Sequence, residues 1–216
     1  MVIDVLRATS VFTYATQSGV REVVPVLDIE TARQLKAYYP PEEVLLGGER
    51  QGLPIDGFDL GNSPQHYTPK KVSGKTLIFT TTNGTVAMHA ARFSRCIYIA
   101  SFLNAAAVVE CLYPENNIAI LCAGRLGGEG EDDSLLAGCL TFRLLQRRSY
   151  QLNADANRVA DLWQEPMETD ELERRLRASG GGQALISLGL DADITVSAQI
   201  DTIDVVPRLT PAESVA

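Results

Sequence analysis

Histidine is scarce in this chain, which has only His66 and His89 among its 216 residues. A histidine-rich metal site therefore cannot be built from one chain, and any metal is expected to have oxygen ligands, which favours magnesium or manganese over zinc. The sequence also lacks a Cys-x-x-Cys pair; its four cysteines lie in apolar segments, at Cys96, Cys111, Cys122 and Cys139. We predict that these are reduced, buried thiols.

Basic residues and long apolar runs are also few. The chain has 19 Lys and Arg against 27 Asp and Glu, a formal net charge of -8 and a pI near 4.8. This balance disfavours a nucleic acid or an anionic membrane surface as partner, although a few arginines in one cleft could still bind a small anion. No apolar run reaches the roughly 18 residues of a membrane span, and the N-terminus lacks a signal-peptide layout. We expect a cytoplasmic protein; the sequence does not indicate its oligomeric state.

The length and the 45% hydrophobic content predict one compact unit over residues 1–210, of one or two lobes, with a frayed tail at 211–216. Apolar runs alternate with polar loops and helix-like periods, which predicts an α/β fold: a mostly parallel sheet with helices on both faces. The predicted strands are Val2–Val5, Val23–Leu27, Val44–Leu46, Thr76–Thr80, Cys96–Ala100, Asn117–Cys122 and Ile203–Val206. The predicted helices are Ser10–Ser18, Glu30–Tyr39, Thr85–Phe93, Asn104–Leu112 and Ser134–Arg147.

Residues 2–37 and 77–112 align without gaps, which suggests two copies of one β-α-β-α unit. A third strand and polar loop begin at Ile118, and three such loops would meet at one edge of a parallel sheet. The alternative is the weak self-similarity that any α/β protein shows. Residues 146–179 are charge-rich and predict a solvated helical insertion, broken by the glycines 180–182.

The first loop places a carboxylate, an arginine and two hydroxyl groups together. Asp4 could hold a hard cation, Arg7 could bind a phosphoryl or sulfonate group, and Thr9 or Ser10 could cap the following helix. In a purely structural interpretation the hydroxyl is an ordinary cap and Arg7 a surface residue. Asp4 is harder to explain in that way, because an unpaired carboxylate inside an apolar strand is costly.

The other loops offer similar groups. Thr80-Thr81-Thr82-Asn83-Gly84-Thr85 resembles an anion cradle, or else a tight strand-to-helix turn, and lacks the Gly-Lys-Ser/Thr of a Walker loop. Leu46-Gly47-Gly48-Glu49-Arg50 places an acid and an arginine after a strand. The loop after Ile118 contributes Arg125 and four acids, which are either a solvated helix start or metal ligands: Glu129, Glu131, Asp132 and Asp133.

Taken together, VIDVLRATS, LLGGER, GFDLGNSP, TTNGT, SFLNA and the acidic loop before LLAG resemble the 2-phosphosulfolactate phosphatases, hydrolases first associated with coenzyme M biosynthesis. The resemblance runs in order over residues 2–138 and weakens afterwards, although Ser179–Leu190, Asp193 and Val205–Pro207 look like the family's closing segment. It implies a Mg²⁺-dependent phosphomonoesterase of α/β fold that converts 2-phosphosulfolactate into sulfolactate and phosphate.

The resemblance also implies roles for particular residues. The catalytic set is Asp4, Arg7, Glu49 and Arg50. The substrate-binding set is Thr9, Thr81, Asn83, Gly84, Thr85, Asn104 and Arg125. Asp4, Asp132 and Asp133 are the expected metal ligands, and Glu49 is a further candidate. Together they would hold Mg²⁺ against a phosphoryl oxygen, while the arginines bind the anionic groups of the substrate.

Two departures from the family pattern affect these expectations. The family carries a leading strand before VIDVLRATS, so either a sheet edge lacks that strand here or the sequence is shortened at its start. Asp132-Asp133 stands where the family usually has Glu-Asp, which leaves open which acid binds metal.

The reaction route and two rival functions stay open on the sequence alone. Either water attacks the phosphoryl group directly or an aspartate forms an aspartyl-phosphate; Arg-His-Gly, Cys-x5-Arg and a first-strand Asp-x-Asp are absent. A non-catalytic binder of phosphorylated metabolites would not need the three aspartates, and a doubly wound nucleotide-binding enzyme would need a Gly-x-Gly-x-x-Gly after the first strand. A phosphatase of a different small anionic phosphoester is the third alternative.

Overall fold

A computed structural model describes residues 1–163 and 167–209, so the predicted frayed tail at 211–216 lies outside the described residues. The strands are β1 (Val2–Ile3), β2 (Glu22–Pro25), β3 (Val44–Arg50), β4 (Leu53–Pro54), β5 (Thr76–Thr80), β6 (Ile97–Ala100), β7 (Leu121–Cys122) and β8 (Arg208–Leu209). The α-helices are α1 (Ala8–Gln17), α2 (Ile29–Lys36), α3 (Pro69–Val72), α4 (Gly84–Ala90), α5 (Ala105–Leu112), α6 (Glu131–Arg147), α7 (Ala154–Ala160), α8 (Thr169–Ala178), α9 (Gly180–Ser187) and α10 (Ala192–Ser197). Single 3₁₀ turns lie at Pro41–Glu43, Pro64–His66, Ala91–Phe93 and Phe102–Asn104.

The described strands form two sheets, in the orders β7-β1-β6-β8 and β2-β5-β3-β4. The inner pairs of both sheets are parallel, whereas the edge strands β4 and β8 pair antiparallel with β3 and β6. The α/β class and the mostly parallel pairing predicted from the sequence are therefore confirmed, with two sheets in place of one.

Helices fill the space between the sheets and cover their outer faces. Successive side chains of a strand point to opposite faces, so Val2 joins the core that contains Phe12 of α1 and Met88 of α4, while Ile3 joins the core that contains α5 and α6. In the second sheet Phe79 faces the first of these cores, and Ile78 packs with α2 on the outer face. The helices α1 and α4 thus lie between the two sheets, where they carry the loops that precede them.

The segments 2–37 and 77–112 both contain the element order strand, helix, strand, helix. Their strands are exchanged between the sheets: β1 pairs with β6 through Val2 and Ile99, and β2 pairs with β5 through Val24 and Ile78. This exchange gives each sheet one strand from each segment. The duplication itself stays a hypothesis.

Several predicted boundaries were wrong. Residues 203–206 are not a strand, and the last strand follows Pro207, where Arg208 and Leu209 pair with β6. The strand predicted over Asn117–Cys122 is confined to Leu121–Cys122, because these are the two residues that pair with Val2 and Ile3 of β1. The break predicted at Ser179 and the glycines after it is confirmed, because α8 ends at Ala178 and a new helix, α9, begins at Gly180; the Ser179 hydroxyl caps α9 by accepting the Gly182 N–H.

The described part of the charged region 146–179 contains two helices, α7 and α8, whose large apolar side chains are buried. Helix α7 packs mainly against α6, and α8 against α9. Leu172 and Leu176 of α8 are fully buried in the same core as Leu136 and Leu140 of α6. A charged helix can contribute to a core in this way because its polar residues lie on one face and its leucines on the other.

Two smaller expectations were also tested. No disulfide joins the four cysteines, but Cys96 is exposed, so the prediction that all four are buried was wrong. Across residues 1–163 and 167–209, no helix is both long and apolar enough to cross a membrane.

We predict that Leu172→Ala lowers the free energy of unfolding by about 2–5 kcal/mol, because it leaves a cavity in a core where the side chain is fully buried. Urea denaturation followed by circular dichroism would measure the loss. The control is Leu162→Ala, at a leucine of the same region that is 36% exposed. Equal losses at the two positions would contradict the placement of α8 in the core.

Candidate active site

The candidate site lies where the loops that follow β1, β3, β5 and β7 meet. Asp4 directly follows β1, and Gly84 begins α4 in the loop after β5. A Cβ atom added at Gly84 would lie 2.5 Å from Asp4 Oδ2 and 2.7 Å from Ala8 Cβ. Only glycine therefore allows the second loop to approach the first so closely.

Backbone contacts fix the position of Asp4. Its Oδ1 accepts the Ala8 N–H at 3.2 Å, and its own N–H and carbonyl group bond to Thr9 Oγ1 at 3.2 and 2.8 Å. Helix α1 has no side-chain cap from Thr9 or Ser10, so that prediction was wrong; Ser10 Oγ donates to the Val5 carbonyl instead. Thr9 is fully buried and makes contacts that shape the loop, and its predicted contact with substrate stays a prediction.

Asp132 and Asp133 occupy the first turn of α6 and are both buried. Asp133 Oδ1 accepts the Val5 N–H at 2.8 Å, and its Oδ2 accepts the Gly124 N–H at 2.9 Å. Asp133 thereby ties the loop after β7 to the loop after β1 and brings both aspartates of α6 next to Asp4.

The pKa values of all three aspartates are raised, in each case mainly by burial. Burial raises the pKa of Asp4 to about 7, helped by the charges of Asp132 and Glu49 and opposed by the Ala8 N–H and the charge of Arg7. The pKa of Asp133 is raised well above its usual value by burial and then by the charges of Asp132 and Asp4. Burial also raises the pKa of Asp132. Three acids that resist ionisation together form a site that is stabilised by a cation.

Glu49, at the end of β3, is buried against the second loop. Its Oε1 accepts the Thr82 N–H at 2.7 Å, while its Oε2 accepts the Gly52 N–H at 2.7 Å and the Thr82 hydroxyl at 3.3 Å. These three bonds occupy much of its accepting capacity. Glu49 therefore joins the loops after β3 and β5, and the structure places it close enough to Asp4 to raise the pKa of that residue.

The second loop is held by a pair of threonines. Thr85 N–H donates to Thr81 Oγ1, and the Thr85 hydroxyl accepts the Thr81 N–H and donates to its carbonyl group. The predicted substrate-binding residues of this loop are thus brought beside Asp4, with Thr81 and Thr85 buried and Asn83 half-buried.

Arg7 is buried and meets three segments of the chain. Its Nη1 donates to Asp193 Oδ2 at 2.7 Å and to Ser63 Oγ at 3.5 Å, and its Nη2 donates to the Gly52 carbonyl at 2.6 Å. Arg7 is thus not the surface residue of the purely structural interpretation.

The remaining predicted binding residues are less directly placed. Arg50 donates to the carbonyl groups of Glu49 and Leu27 and to the Thr80 hydroxyl. Its guanidinium group therefore lies against β3, the end of β5 and the segment after β2. Asn104 is fully buried, and its amide bonds to Ser101, Ile99 and Val205. The structure does not bring Asn104 together with the acids, because none of these partners belongs to the acidic site. Arg125 is exposed and lies close enough to Asp132 to lower its pKa.

Glu129 and Glu131 of the acidic run lie outside the buried site. Both are exposed, and Glu129 forms an ion pair with Arg158. A cavity of about 600 Å³ opens beside Asp132 and is lined in part by Glu131, Arg175 and Ser179. A larger cavity of about 990 Å³ lies along β7 and is lined by none of the three aspartates, whereas Asp132 lines the smaller one.

The acids suit a hard cation by their chemistry. Within the described ranges, no group of three or more His, Cys, Asp or Glu side chains converges closely enough to enclose an ion. Mg²⁺ does not need such a cage, because it usually keeps several waters and takes one or two carboxylates from the protein. Asp4 and Asp132 fit this requirement: Asp4 Oδ2 lies against Gly84 of the second loop, Asp132 lines the smaller cavity, and burial raises the pKa of both.

The sequence did not identify the partners of Arg7. Ser63 appeared only within an ordered turn, and Asp193, separated from Arg7 by 186 positions, only within a closing segment. An acid after a short loop gives no signal of a long-range ion pair. Only the fold brings Asp193 to Arg7.

We predict that Asp4→Asn stabilises the metal-free protein at pH 8. The pKa of Asp4 is raised from 3.8 to about 7, so the native state binds more protons than the unfolded state between those pH values, and stability falls as pH rises through this range. Each pKa unit corresponds to about 1.4 kcal/mol, or about 2–4 °C in Tm for a chain of this size. Thermal melts in EDTA should show a gain at pH 8 that shrinks towards pH 5.

The control for these melts is Asp161→Asn, at an exposed aspartate remote from the site, which should leave Tm unchanged at both pH values. A lower Tm for Asp4→Asn at pH 8 would mean that the native protein stabilises the Asp4 carboxylate even without a cation.

The sequence of this chain has many recognisable relatives. A family model described as 2-phosphosulpholactate phosphatase matches residues 1–211. A Thermotoga petrophila protein named "Probable 2-phosphosulfolactate phosphatase" is 41% identical over 209 residues, covering 97% of this chain and 88% of its own length. A Deinococcus radiodurans protein of the same name is 38% identical over 218 residues, covering 100% and 89%. The chain belongs to the 2-phosphosulfolactate phosphatase family.

Proposed function

We propose that this protein hydrolyses the phosphate monoester of 2-phosphosulfolactate and releases sulfolactate and inorganic phosphate. The observation that carries the proposal is the burial of three neighbouring carboxylates in a member of this family: Asp4 after β1, and Asp132 and Asp133 in the first turn of α6. A binder of phosphorylated metabolites would gain nothing from a cluster of acids that repels its ligand. An enzyme that uses a cation to offset that repulsion would.

Mg²⁺ is the proposed cofactor, with Asp4 and Asp132 or Asp133 as the residues that would hold it. Such an ion supplies positive charge against the phosphoryl oxygens as negative charge builds on them during hydrolysis. The scarcity of histidine supports oxygen ligands. Asp132 is preferred to Asp133 because it lines the cavity of about 600 Å³, whereas each oxygen of Asp133 accepts a backbone N–H that joins two loops.

The chain's own groups would bind and orient the substrate. Arg7 offers charge-assisted hydrogen bonds to an anionic group, and Asn83 and Gly84 of the second loop would offer amide N–H groups beside Asp4, since the donors of Thr82 and Thr85 already bond within the protein. Glu49 holds this loop against the loop after β3, so these donors are fixed before the substrate arrives. Groups that need no reorganisation at the moment of reaction stabilise the transition state most effectively.

The finer biological setting is part of the same proposal. A cytoplasmic enzyme of coenzyme M biosynthesis is supported by the family and by the lack of a spanning helix among the described residues. The net charge of -8 supports a small-molecule substrate over a nucleic acid. If the host does not make coenzyme M, the same site would serve another small anionic phosphoester.

We expect phosphate release from 2-phosphosulfolactate to need a divalent cation. A screen of three-carbon phosphoesters, with and without Mg²⁺, would measure released phosphate; EDTA should abolish it and added Mg²⁺ restore it. Full turnover in metal-free buffer would remove Mg²⁺ from the proposal, while turnover of a different ester alone would correct the substrate.

Asp4→Asn should lower kcat by at least about 100-fold while the fold is kept, because the substitution removes a charge from the centre of the acidic site. Asp161→Asn makes the same chemical change at an exposed position and should leave kcat unaltered. Phosphate release at saturating substrate, with circular dichroism of each variant, would compare them. Equal activity of the two variants would exclude Asp4 from the chemistry.

A further inference from the structure

The guanidinium group of Arg7 has five N–H donors, and the protein uses three of them. Asp193 and Ser63 take the two donors of Nη1, and the Gly52 carbonyl takes one of Nη2. Among the described residues, no group accepts from Nε or from the second Nη2 donor. Nε lies on the same side of the guanidinium plane as Nη2, and the edge that these two nitrogens share can bind two oxygens of an anion together.

Arg7 is tied to the acidic site through Gly52. The Gly52 carbonyl accepts from Arg7 Nη2 at 2.6 Å, and the Gly52 N–H donates at 2.7 Å to Glu49, whose other oxygen accepts the Thr82 N–H of the loop beside Asp4. Arg7 also lies in the loop that joins Asp4 to α1. An anion bound near Asp4 would therefore lie within reach of the two unused donors.

Asp193 sets the direction of that edge. It lies in the first turn of α10, is 4% exposed, and accepts both the Arg7 N–H at 2.7 Å and the Ser63 hydroxyl at 2.8 Å. The Ser63 hydroxyl in turn lies 3.5 Å from Arg7 Nη1, so the three groups form a closed ring of contacts. Rotation of the guanidinium group would break the bonds to Asp193 and Gly52 at once.

We propose that Asp193 is a positioning residue, which together with Ser63 holds Arg7 so that its free edge receives the phosphoryl or sulfonate oxygens of the substrate. The assignment rests on the proposed phosphatase function and adds to it a residue from the far end of the chain. An arginine on a flexible stem loses side-chain entropy when it binds an anion. In this arrangement the entropy has already been lost on folding, which favours binding.

The alternative is that the ion pair only attaches α10 to the rest of the molecule. Other contacts already hold that helix from its outer side: Thr195 donates to Glu173, and Arg177 donates to Thr195. An ion pair needed only for attachment would not require an arginine from the loop after Asp4. The two roles differ in what they change, since attachment affects the folded fraction and positioning affects anion affinity.

The experiment measures KM, kcat and the inhibition constant of inorganic phosphate for Asp193→Asn. Loss of the charged acceptor should raise KM and the phosphate inhibition constant by about ten-fold or more, since a charge-assisted bond is weakened, while kcat per folded molecule changes less. Asp193→Glu, which keeps the charge, should recover part of the affinity. Asp191→Asn is the matched control, an exposed aspartate just before the same helix that is 3.9 Å from Arg177 and does not contact Arg7.

Wild-type KM and phosphate inhibition in Asp193→Asn, or a fall in kcat alone, would overturn the proposal. If Asp193→Asn does not fold, Ser63→Ala decides: it removes one contact of the ring and should raise the phosphate inhibition constant measurably, and an unchanged constant overturns the assignment. Calorimetric titration with inorganic phosphate and with sulfolactate separates this outcome from failure of the proposed function. If the wild-type protein binds these anions more tightly than Asp193→Asn does but hydrolyses no phosphoester, the positioning role of Asp193 is kept and the phosphatase function is lost.

Discussion

The burial of three like charges in one place is the constraint on which the rest of the site depends. Asp4, Asp132 and Asp133 are each at least nine-tenths buried; burial raises the pKa of each, and the charge of Asp132 adds to the rise at the other two. Such a cluster costs stability unless a cation or protons neutralise it. The surrounding contacts show how it is held: the N–H groups of Val5, Ala8 and Gly124 are all directed at its oxygens.

The exchange of strands between sheets explains how the four loops come to face one another. Because β1 pairs with β6 and β2 pairs with β5, the helices α1 and α4 both lie between the sheets. Their preceding loops therefore approach from opposite sides, and Gly84 reaches Asp4 across the gap. A single flat sheet would place these loops side by side along one edge. Two sheets enclose them, and the enclosure is what buries the charges.

The sequence predicted those parts of the structure that depend on local pattern. Alternating apolar runs gave Thr76–Thr80 correctly and most helices to within a few residues, and the polar residues after the strands identified Asp4 and Asp132. The hydrogen-bond partners of the side chains were not predictable in the same way. The threonines 9 and 85 were read as anion-binding or capping groups, yet their hydroxyls hold the backbone of their own loops. Side-chain type indicates what a residue can do, but the path of the backbone decides which partner it meets.

The arginines illustrate the same limit. Arg7 and Arg50 looked equivalent in sequence, each in a loop that carries an acid, but their surroundings differ. Arg50 donates to the Glu49 and Leu27 carbonyl groups and to the Thr80 hydroxyl, which are neutral acceptors. Arg7 meets a buried carboxylate that balances its charge and fixes its plane. Burying a guanidinium group without a charged partner would cost folding free energy, and a guanidinium group with every N–H donor occupied could not bind a ligand. Asp193 satisfies the first condition and leaves one edge of Arg7 open, which makes Arg7, of the two, the better suited to receive an anion.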